Sequence, residues 1–277
     1  MSELLEIIKS RKSVRSFAEK PVSEEDRRRL EQYMASIDNP FGIPVRFVLL
    51  DAKEHGLTSP VLTGEALYVA GMVKKGSYAD VAFGFSFEKL VLYAWSLGIG
   101  TTWIGGTMKR ELFERAAGLA EDEIMPCMSP LGYPARKRSV KEIMMRKGIR
   151  ADTRMSADEL FFDGAWDSPL DVDASDELRD LAEMVRWAPS AVNKQPWRIL
   201  FSDGGFHFYE KRDRGYVSEK TGDLQKIDVG IALCHFVSGM EAQGKHPAVV
   251  IQPPETDAPD GTHYIATVRS GSPEPLS

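Results

Sequence analysis

A cluster of basic side chains near the start of the chain is the first group of residues that could bind a ligand. Arg11, Lys12 and Arg15 stand within five residues of one another, and Ser13 lies between them. Guanidinium groups bind phosphate through two parallel hydrogen bonds, and a serine hydroxyl adds another donor. The segment therefore predicts a phosphate site. The alternative is a solvated basic helix end, which the negative pole of the helix dipole would favour.

A polar loop in the second half of the chain, residues 187–197 (WAPSAVNKQPW), is the second candidate. Pro189 ends the preceding helix, because a proline disfavours helical backbone in the residue before it. The loop then presents Ser190, Asn193 and Gln195. Amides that both donate and accept suit the edge of a heterocycle with alternating N–H and C=O groups. The alternative is a helix–strand connector whose amides satisfy nearby backbone groups.

A glycine-rich stretch, residues 97–106 (LGIGTTWIGG), is the third candidate, and residues 129–134 (SPLGYP) follow it. The stretch lacks the third glycine of a dinucleotide-binding fingerprint and follows a helix, so that kind of site is not expected. Gly105 and Gly106 would let the backbone approach a planar ligand closely. A simple helix-to-strand turn is the alternative.

The composition is that of an ordinary globular protein: 277 residues, 43% hydrophobic and 27% charged. A net charge of −6 argues against nucleic acid, whose phosphates require a broad basic face. We find no apolar run of membrane-span length and no signal-peptide pattern, so we expect no membrane partner. Two cysteines, Cys127 and Cys234, make no disulfide framework, and we expect a cytoplasmic protein. The five histidines lack ligand spacing, so no metal site is expected.

Apolar periodicity predicts helices mixed with short strands, an α+β class. The predicted helices are residues 4–10, 24–34, 78–97, 109–117, 176–187 and 227–243, and the predicted strands are residues 45–50, 66–73, 101–104, 128–131, 198–201, 206–209, 248–251 and 263–269. Ser23 is expected to cap the second helix and Gly98 to end the third. We expect strand 45–50 to be buried on both faces and residues 135–170 to form a charged connector.

The chain carries one pattern twice. The aligned ranges are residues 44–51 (PVRFVLLD) with 196–203 (PWRILFSD), and residues 80–98 with 226–244. Gly84 lies over Gly230 and Gly98 over Gly244, 146 positions later, whereas the strand pair is 152 positions apart. We expect the six-residue difference in the intervening loop. Chance helix–strand patterning is the alternative to an internal duplication.

The polar segments, in contrast, occur once each. The basic segment, residues 11–17 (RKSVRSF), aligns with residues 163–169 (DGAWDSP), and the polar loop aligns with residues 35–45 (ASIDNPFGIPV). This predicts one composite site between two halves, residues 1–150 and 151–277, paired about a pseudo-twofold axis as in a homodimer fused into one chain. A monomer is the expected state, and further association stays open.

Together these segments resemble the nitroreductase family of flavoproteins over nearly the whole chain. The resemblance rests on R-x-S-x-R near the N-terminus, on APSAVNKQPW as the most specific match, on a G-x-G-x-x-W-I-G stretch and on L-G-Y-P. In that family the basic segment binds the FMN phosphate, and the polar loop contacts the flavin partly across the dimer interface. The resemblance thus implies a nitroreductase-like fold, internally duplicated, with one retained site.

The resemblance also implies which residues would bind FMN. The phosphate and ribityl end would take Arg11, Lys12, Ser13 and Arg15, with Arg154 as a second basic contact. The ring system would meet Pro189, Ser190, Asn193 and Gln195 from one half and Trp103, Ile104, Gly105 and Gly106 from the other. Family members often carry an acidic residue where this chain has Gly105. That departure leaves the surroundings of flavin N5 open.

The implied function is an FMN-dependent oxidoreductase. Hydride would pass from NAD(P)H through the flavin to a nitroaromatic, a quinone or a similar small aromatic acceptor. No catalytic side chain is expected, because the flavin performs the chemistry. Two alternatives remain: a flavin- or nucleotide-binding protein without turnover, and a flavin-modifying enzyme of the same fold. The choice between NADH and NADPH, the acceptor and the number of flavins bound stay open.

Overall fold

The computed structural model describes residues 2–137, 139–148 and 150–271. The N-terminal part contains six helices and four strands among these residues. They are α1 (Glu3–Ser10), α2 (Glu24–Ser36), β1 (Val45–Asp51), α3 (Ala52–His55), β2 (Leu67–Lys74), α4 (Ala79–Ser96), α5 (Arg110–Ala116), β3 (Glu123–Ile124), β4 (Met128–Leu131) and α6 (Val140–Gly148).

The C-terminal part contributes two long helices and most of the strands. Its elements are β5 (Phe161–Asp163), β6 (Ala165–Pro169), α7 (Asp176–Arg186), β7 (Trp197–Ser202), β8 (Gly205–Lys211), β9 (Val217–Ser218), β10 (Gly222–Asp223), α8 (Leu224–Ala242), β11 (Pro247–Val250) and β12 (Thr262–Ser270). No helix in the described ranges is both long and apolar enough to cross a membrane.

Each part builds its own sheet. In the first, β2 is central and pairs antiparallel with β1, β3 and β4. In the second, the order is β11-β12-β8-β7-β5-β6, antiparallel except where β5 runs parallel to β7. A two-residue turn joins β7 to β8, and both Asp203 and Gly204 have positive φ, as a tight hairpin turn requires. The mixed α+β class is therefore confirmed.

The two central helices, α4 and α8, pack backbone to backbone at two glycines. A Cβ atom on Gly84 would lie 2.1 Å from the carbonyl oxygen of Ile227, and one on Gly230 would lie 2.2 Å from that of Val81. The contact is reciprocal in sequence as well, because Ile227 and Gly230 follow Val81 and Gly84 by the same 146 positions. Only glycine permits this approach.

One hydrophobic core runs through both parts. It includes Phe83 and Phe87 of α4, Phe236 of α8, and Trp197 of β7, all with no exposed surface. α4 and α8 are apolar on nearly every side, which is typical of helices surrounded by other elements. The core therefore does not separate residues 1–150 from 151–277, and that boundary stays a prediction.

Side-chain caps set where the helices begin. The Ser23 hydroxyl accepts from the Asp26 N–H at the start of α2, as predicted, and the Asp223 carboxylate does the same for Gln225 at the start of α8. α4 ends at Ser96, and Gly98 just beyond its C-cap has a positive φ, which confirms the predicted glycine stop.

Four expectations were wrong. Residues 101–104 form isolated bridges instead of a strand. β1 is half-buried, because it is an edge strand of its sheet. Residues 135–170 are more than a connector, since they contain α6, and β5 and β6 extend the second sheet. The six-residue difference does not fall in one loop: the β7–β8 turn is shorter than the β1–β2 connection, and the β8–α8 connection is longer than the β2–α4 connection.

Candidate functional site

The basic segment is extended, and backbone hydrogen bonds attach it to the glycine-rich stretch. The Val14 N–H donates to the Thr101 carbonyl at 2.8 Å, and the Phe17 N–H donates to the Thr63 carbonyl at 2.9 Å. Side chains alternate along extended backbone, so Val14 and Ser16 are buried while Ser13 and Arg15 line a cleft.

Two adjoining cavities form that cleft. The basic cavity, about 300 Å³, is lined by Arg11, Lys12, Ser13 and Arg154 on one side and by Pro189, Ser190 and Asn193 on the other. The apolar cavity, about 310 Å³, is lined by Arg15, Trp103, Gly105 and Gly106 together with four residues of α8, Leu224, Ile227, Asp228 and Ile231. Ser13, Pro189 and Ser190 line both cavities. The predicted segments from the two halves therefore meet in one continuous cleft.

The basic cavity concentrates positive charge in a chain whose net charge is −6. Arg11 is 7% exposed, and the Arg154 guanidinium lies over the Trp187 ring, 4.8 Å from its centroid. Arg154 also donates from Nη1 to the Ala151 and Thr153 carbonyls, at 3.0 and 2.7 Å, and these contacts fix the position of its guanidinium. Asp152 also lines this cavity, so the surface is basic without being purely cationic.

The two amides of the polar loop take part mainly in loop contacts. Asn193 donates from Nδ2 to the Arg150 and Thr153 carbonyls, at 2.9 and 3.1 Å. Gln195 accepts from the Met155 N–H at 3.0 Å and lines neither the basic nor the apolar cavity. Asn193 lines the basic cavity and Arg15 the apolar one, so the two do not share a single wall.

The polar loop is also conformationally strained. Val192, Asn193 and Gln195 all have positive φ, at 45°, 60° and 50°. A β-branched residue such as Val192 rarely adopts that region, and its side chain lines the apolar cavity. Strain of this kind persists only where surrounding contacts impose it, and it is typical of ligand sites.

Ile104 is the other predicted residue that lines neither cavity. Its backbone pairs with Met128, with the Ile104 N–H donating at 2.9 Å, and its side chain is buried in a core cluster. The neighbouring Gly105 carbonyl accepts from Arg110 at 2.6 Å, which fixes the loop backbone. A Cβ atom on Gly106 would meet nothing within 4 Å, so this backbone faces open space.

A buried carboxylate, that of Glu88, contacts residues that line each of the two cavities. Glu88 of α4 accepts from the Trp103 indole N–H at 3.1 Å, and its other oxygen lies 3.0 Å from His235 Nε2 and 3.9 Å from Arg11 Nε. His235 in turn contacts the Met184 carbonyl at 2.7 Å. Since Arg11 lines the basic cavity and Trp103 the apolar one, Glu88 couples their positions.

A second buried acid, Asp228, lies in the wall of the apolar cavity. Both of its oxygens lie within hydrogen-bond distance of the Ala191 N–H, at 3.1 and 3.0 Å. Burial raises the pKa of the Asp228 carboxyl well above its ordinary value of 3.8, and the nearby Asp223 raises it further. Burial likewise raises the pKa of the Cys127 thiol in the same wall, so that sulfur is a neutral thiol.

Sequence reasoning missed Glu88, Asp228 and the other α8 residues of the wall. A signal was present, because each acid interrupts a helix that is otherwise apolar on nearly all sides. A buried charged residue needs a partner or a function. The sequence did not show which side of α4 or α8 faces the cleft.

A family model described as "Putative TM nitroreductase" matches residues 3–240 of this chain. Among solved structures, a Thermotoga maritima chain described as a "putative nitroreductase" is similar over 97% of this chain and 93% of its own length, with a TM-score of 0.61 and 22% identity. That likeness shows a shared fold over nearly the entire chain. No curated protein matches at a significant level.

Shorter nitroreductases cover about half of this chain. One from Bacteroides fragilis, described with bound FMN, covers 50% of this chain and 92% of its own length, at 21% identity and a TM-score of 0.42. One from Clostridium difficile, described as FMN-dependent, covers 51% and 94%, at 16% identity and a TM-score of 0.41.

Proposed function

We propose that this chain, which belongs to the nitroreductase family, is an FMN-dependent oxidoreductase that takes hydride from NAD(P)H and passes it to a small aromatic acceptor. One observation carries the proposal. A basic cavity opens into an apolar cavity through the shared residues Ser13, Pro189 and Ser190. FMN has the same division, a phosphate at one end and a flat, mostly apolar ring system at the other.

The donors in the basic cavity suit a phosphate. Arg11, Lys12 and Arg154 supply cations, and Ser13 supplies a hydroxyl at the junction with the apolar cavity. Guanidinium groups bind phosphate oxygens in pairs, and burial strengthens those bonds by excluding water. In a chain of negative net charge, such a local concentration of cations indicates a specific anion, and no general affinity for polyanions is expected.

The apolar cavity suits a ring system with polar edges. Its walls include Trp103, Ile227 and Ile231, and the bare backbone of Gly105 and Gly106 forms part of its surface. The buried Thr102 Oγ1 also lines this cavity and has no hydrogen-bond partner among the described residues. A buried hydroxyl without a partner costs about 1–3 kcal/mol, which a ligand that accepts or donates there would recover.

The work of the chain is then positioning. FMN supplies the hydride chemistry when it is bound. The basic cavity fixes the phosphate, Glu88 holds Trp103 and Arg11 in register, and the α8 wall keeps water away from the reacting face. Exclusion of water strengthens every electrostatic contact in the cleft.

We also infer an internal duplication, with residues 1–150 and 151–277 as fused halves that act as a monomer with one flavin. The reciprocal contacts of Gly84 and Gly230 support a pseudo-twofold axis between α4 and α8. At the positions equivalent to Asn193 and Leu224 stand Phe41 and Tyr78, whose rings stack 5.7 Å apart. These rings take space that a second flavin would need.

Flavin stoichiometry tests that inference. Titration of the purified chain with FMN, followed by quenching of flavin fluorescence, should reach its end point at one FMN per chain. An end point of two would refute the single site. Sedimentation at the same protein concentration should give the mass of one chain, and a stable dimer would contradict the monomer.

The cofactor and the activity are tested by absorption spectroscopy. Purified protein reconstituted with FMN should show a bound-flavin spectrum that NADH or NADPH bleaches and an acceptor restores. Failure to take up FMN would refute the proposal. Stoichiometric FMN that neither nicotinamide reduces would indicate a binding protein without turnover, and breakdown of the flavin would indicate a flavin-modifying enzyme.

Arg15→Ala separates ligand binding from folding. Because Arg15 lines the cleft, its removal should weaken FMN binding by about tenfold or more, the equivalent of about 1.5–3 kcal/mol for a charged hydrogen bond. The melting temperature of the FMN-free protein should change little. Arg28→Ala, at an exposed position on α2, is the matched control and should leave FMN affinity unchanged. Equal losses of FMN affinity from both substitutions would contradict the assignment.

A further inference from the structure

Asp228 is a carboxylic acid built into the wall of the apolar cavity. It is 4% exposed, and its neighbours along the same helix face, Leu224, Ile227 and Ile231, are aliphatic. The hydrogen bonds that the structure gives its carboxyl come from a single N–H, that of Ala191. The carboxyl therefore opens onto the cavity from a fixed position on a long, buried helix.

The surroundings of this carboxyl favour its neutral form. In the described part of the chain, no Lys, Arg or His lies within ion-pair distance of Asp228, although Arg15 lines the same cavity. The other titratable groups that face it are the carboxylate of Asp223 and the thiol of Cys127, and neither supplies positive charge. An unpaired carboxylate in an apolar wall is costly, so burial raises the pKa of Asp228 well above 3.8.

A neutral carboxyl differs from a carboxylate in what it can do. It keeps an oxygen to accept from the Ala191 N–H and gains one O–H group that can donate a proton. The other polar side chains of this wall carry hydroxyls, a thiol, a guanidinium and an indole N–H, from Ser13, Ser190, Thr102, Cys127, Arg15 and Trp103. None of these is as ready a proton donor near neutral pH as a carboxylic acid.

We propose that Asp228 is the proton donor to acceptors whose reduction creates an O–H bond, and a quinone serves as the probe. The inference rests on the proposed flavin-dependent activity. As reduced flavin delivers a hydride to one end of a quinone, the Asp228 O–H bond breaks and its proton goes to a quinone oxygen. Hydride and proton together convert the quinone to its hydroquinone, the flavin is oxidised, and the Asp228 carboxylate regains a proton from solvent.

The decisive variant is Asp228→Asn. Asparagine has the shape of the neutral acid and keeps an acceptor for the Ala191 N–H, but it cannot give up a proton. Reoxidation is measured on variant and wild type that have been saturated with FMN and fully bleached by NAD(P)H, because neither of those steps uses this proton. Reoxidation by benzoquinone should slow by about 100-fold or more, the usual contribution of a general acid. Reoxidation by ferricyanide, which accepts electrons without forming an O–H bond, should be unchanged.

An infrared measurement tests the same residue without any flavin. At neutral pH the difference spectrum of FMN-free wild type minus Asp228→Asn should contain the C=O stretch of a protonated carboxyl. Glu210→Gln is the matched control, since Glu210 is another fully buried acid whose pKa burial raises but lies in neither cavity. Glu210→Gln should leave the rates of reoxidation by benzoquinone and by ferricyanide at their wild-type values.

Several results would overturn the assignment. They are an unchanged benzoquinone rate in Asp228→Asn, an equal loss with benzoquinone and ferricyanide, or no protonated-carboxyl band. If the variant fails to fold, the wild-type pH profile decides, because reoxidation by benzoquinone must fall as pH rises through the Asp228 pKa while ferricyanide stays flat. A wild-type chain that does not bind FMN, or is not bleached, refutes the proposed activity instead, and the infrared band still reports on Asp228.

Discussion

Replacing Gly84 by alanine is the sharpest test of how the two central helices are packed. In an ordinary helix interior the change would stabilise the protein by about 1 kcal/mol, because glycine is the poorer helix former. Here the new Cβ atom would lie 2.1 Å from the Ile227 carbonyl oxygen, whereas ordinary van der Waals contact begins at about 3.4 Å. The obstacle is backbone, so no side-chain rotation can relieve it, and α4 and α8 must separate by about 1 Å.

The cost of that separation falls at the upper end of the range for overpacking. Inserted methyl groups in tight cores cost about 1–3 kcal/mol, and here the displaced group is an entire helix in the middle of the core. We expect Gly84→Ala to lower the free energy of unfolding by about 3 kcal/mol. Gly230→Ala should lose a similar amount, because its Cβ atom would lie 2.2 Å from the Val81 oxygen in the reciprocal contact.

Urea denaturation followed by circular dichroism measures the effect, with thermal melting as a second readout. Each kcal/mol lost from the free energy of unfolding should lower the melting temperature by about 2–4 °C in a protein of comparable size. Gly76→Ala is the control, since a Cβ atom at Gly76 would meet nothing within 4 Å, and its free energy of unfolding should stay within about 0.5 kcal/mol of wild type. A neutral or stabilising Gly84→Ala, or a large difference between the Gly84 and Gly230 variants, would refute the reciprocal packing.

Two further predictions concern buried acids. Glu88→Gln should lower the free energy of unfolding by about 3 kcal/mol, because it removes a buried charge that faces Arg11, and should weaken binding of FMN more than binding of phosphate-free riboflavin. Chemical denaturation and fluorescence titration measure these effects. Glu241→Gln, at an exposed position on α8, is the control. Equal effects of the Glu88 and Glu241 substitutions would contradict the role of Glu88 in holding Arg11. Burial raises the pKa of Asp80 from 3.8 to about 6, so its ionised form destabilises the folded state by roughly 3 kcal/mol above pH 6. Asp80→Asn should therefore be more stable than wild type at pH 7 and lose that advantage as pH falls toward 4, and a pH-independent difference in urea unfolding would count against this pKa.

Much of the architecture was predictable because local signals were strong. The two central helices, their glycine stops and the Ser23 cap follow from apolar patterning and backbone chemistry that act within a few residues. The short bridges near Thr101 and the added strands β5 and β6 were not predictable in this way. Such segments pair with distant parts of the chain, and their few residues carry too weak a pattern to show it.

The sequence by itself determined which polar segments could bind a ligand and that each occurs once. The basic segment and the polar loop are set by residue type and spacing, because guanidinium and amide groups have fixed donor and acceptor geometry. Only the tertiary structure decided which of these side chains face the cleft. It placed Gln195 and Ile104 outside both cavities and added Glu88 and Asp228, whose roles depend on the rotation of two buried helices. A helix that is apolar on all sides has no preferred face, so only its packing neighbours determine where its few acids point.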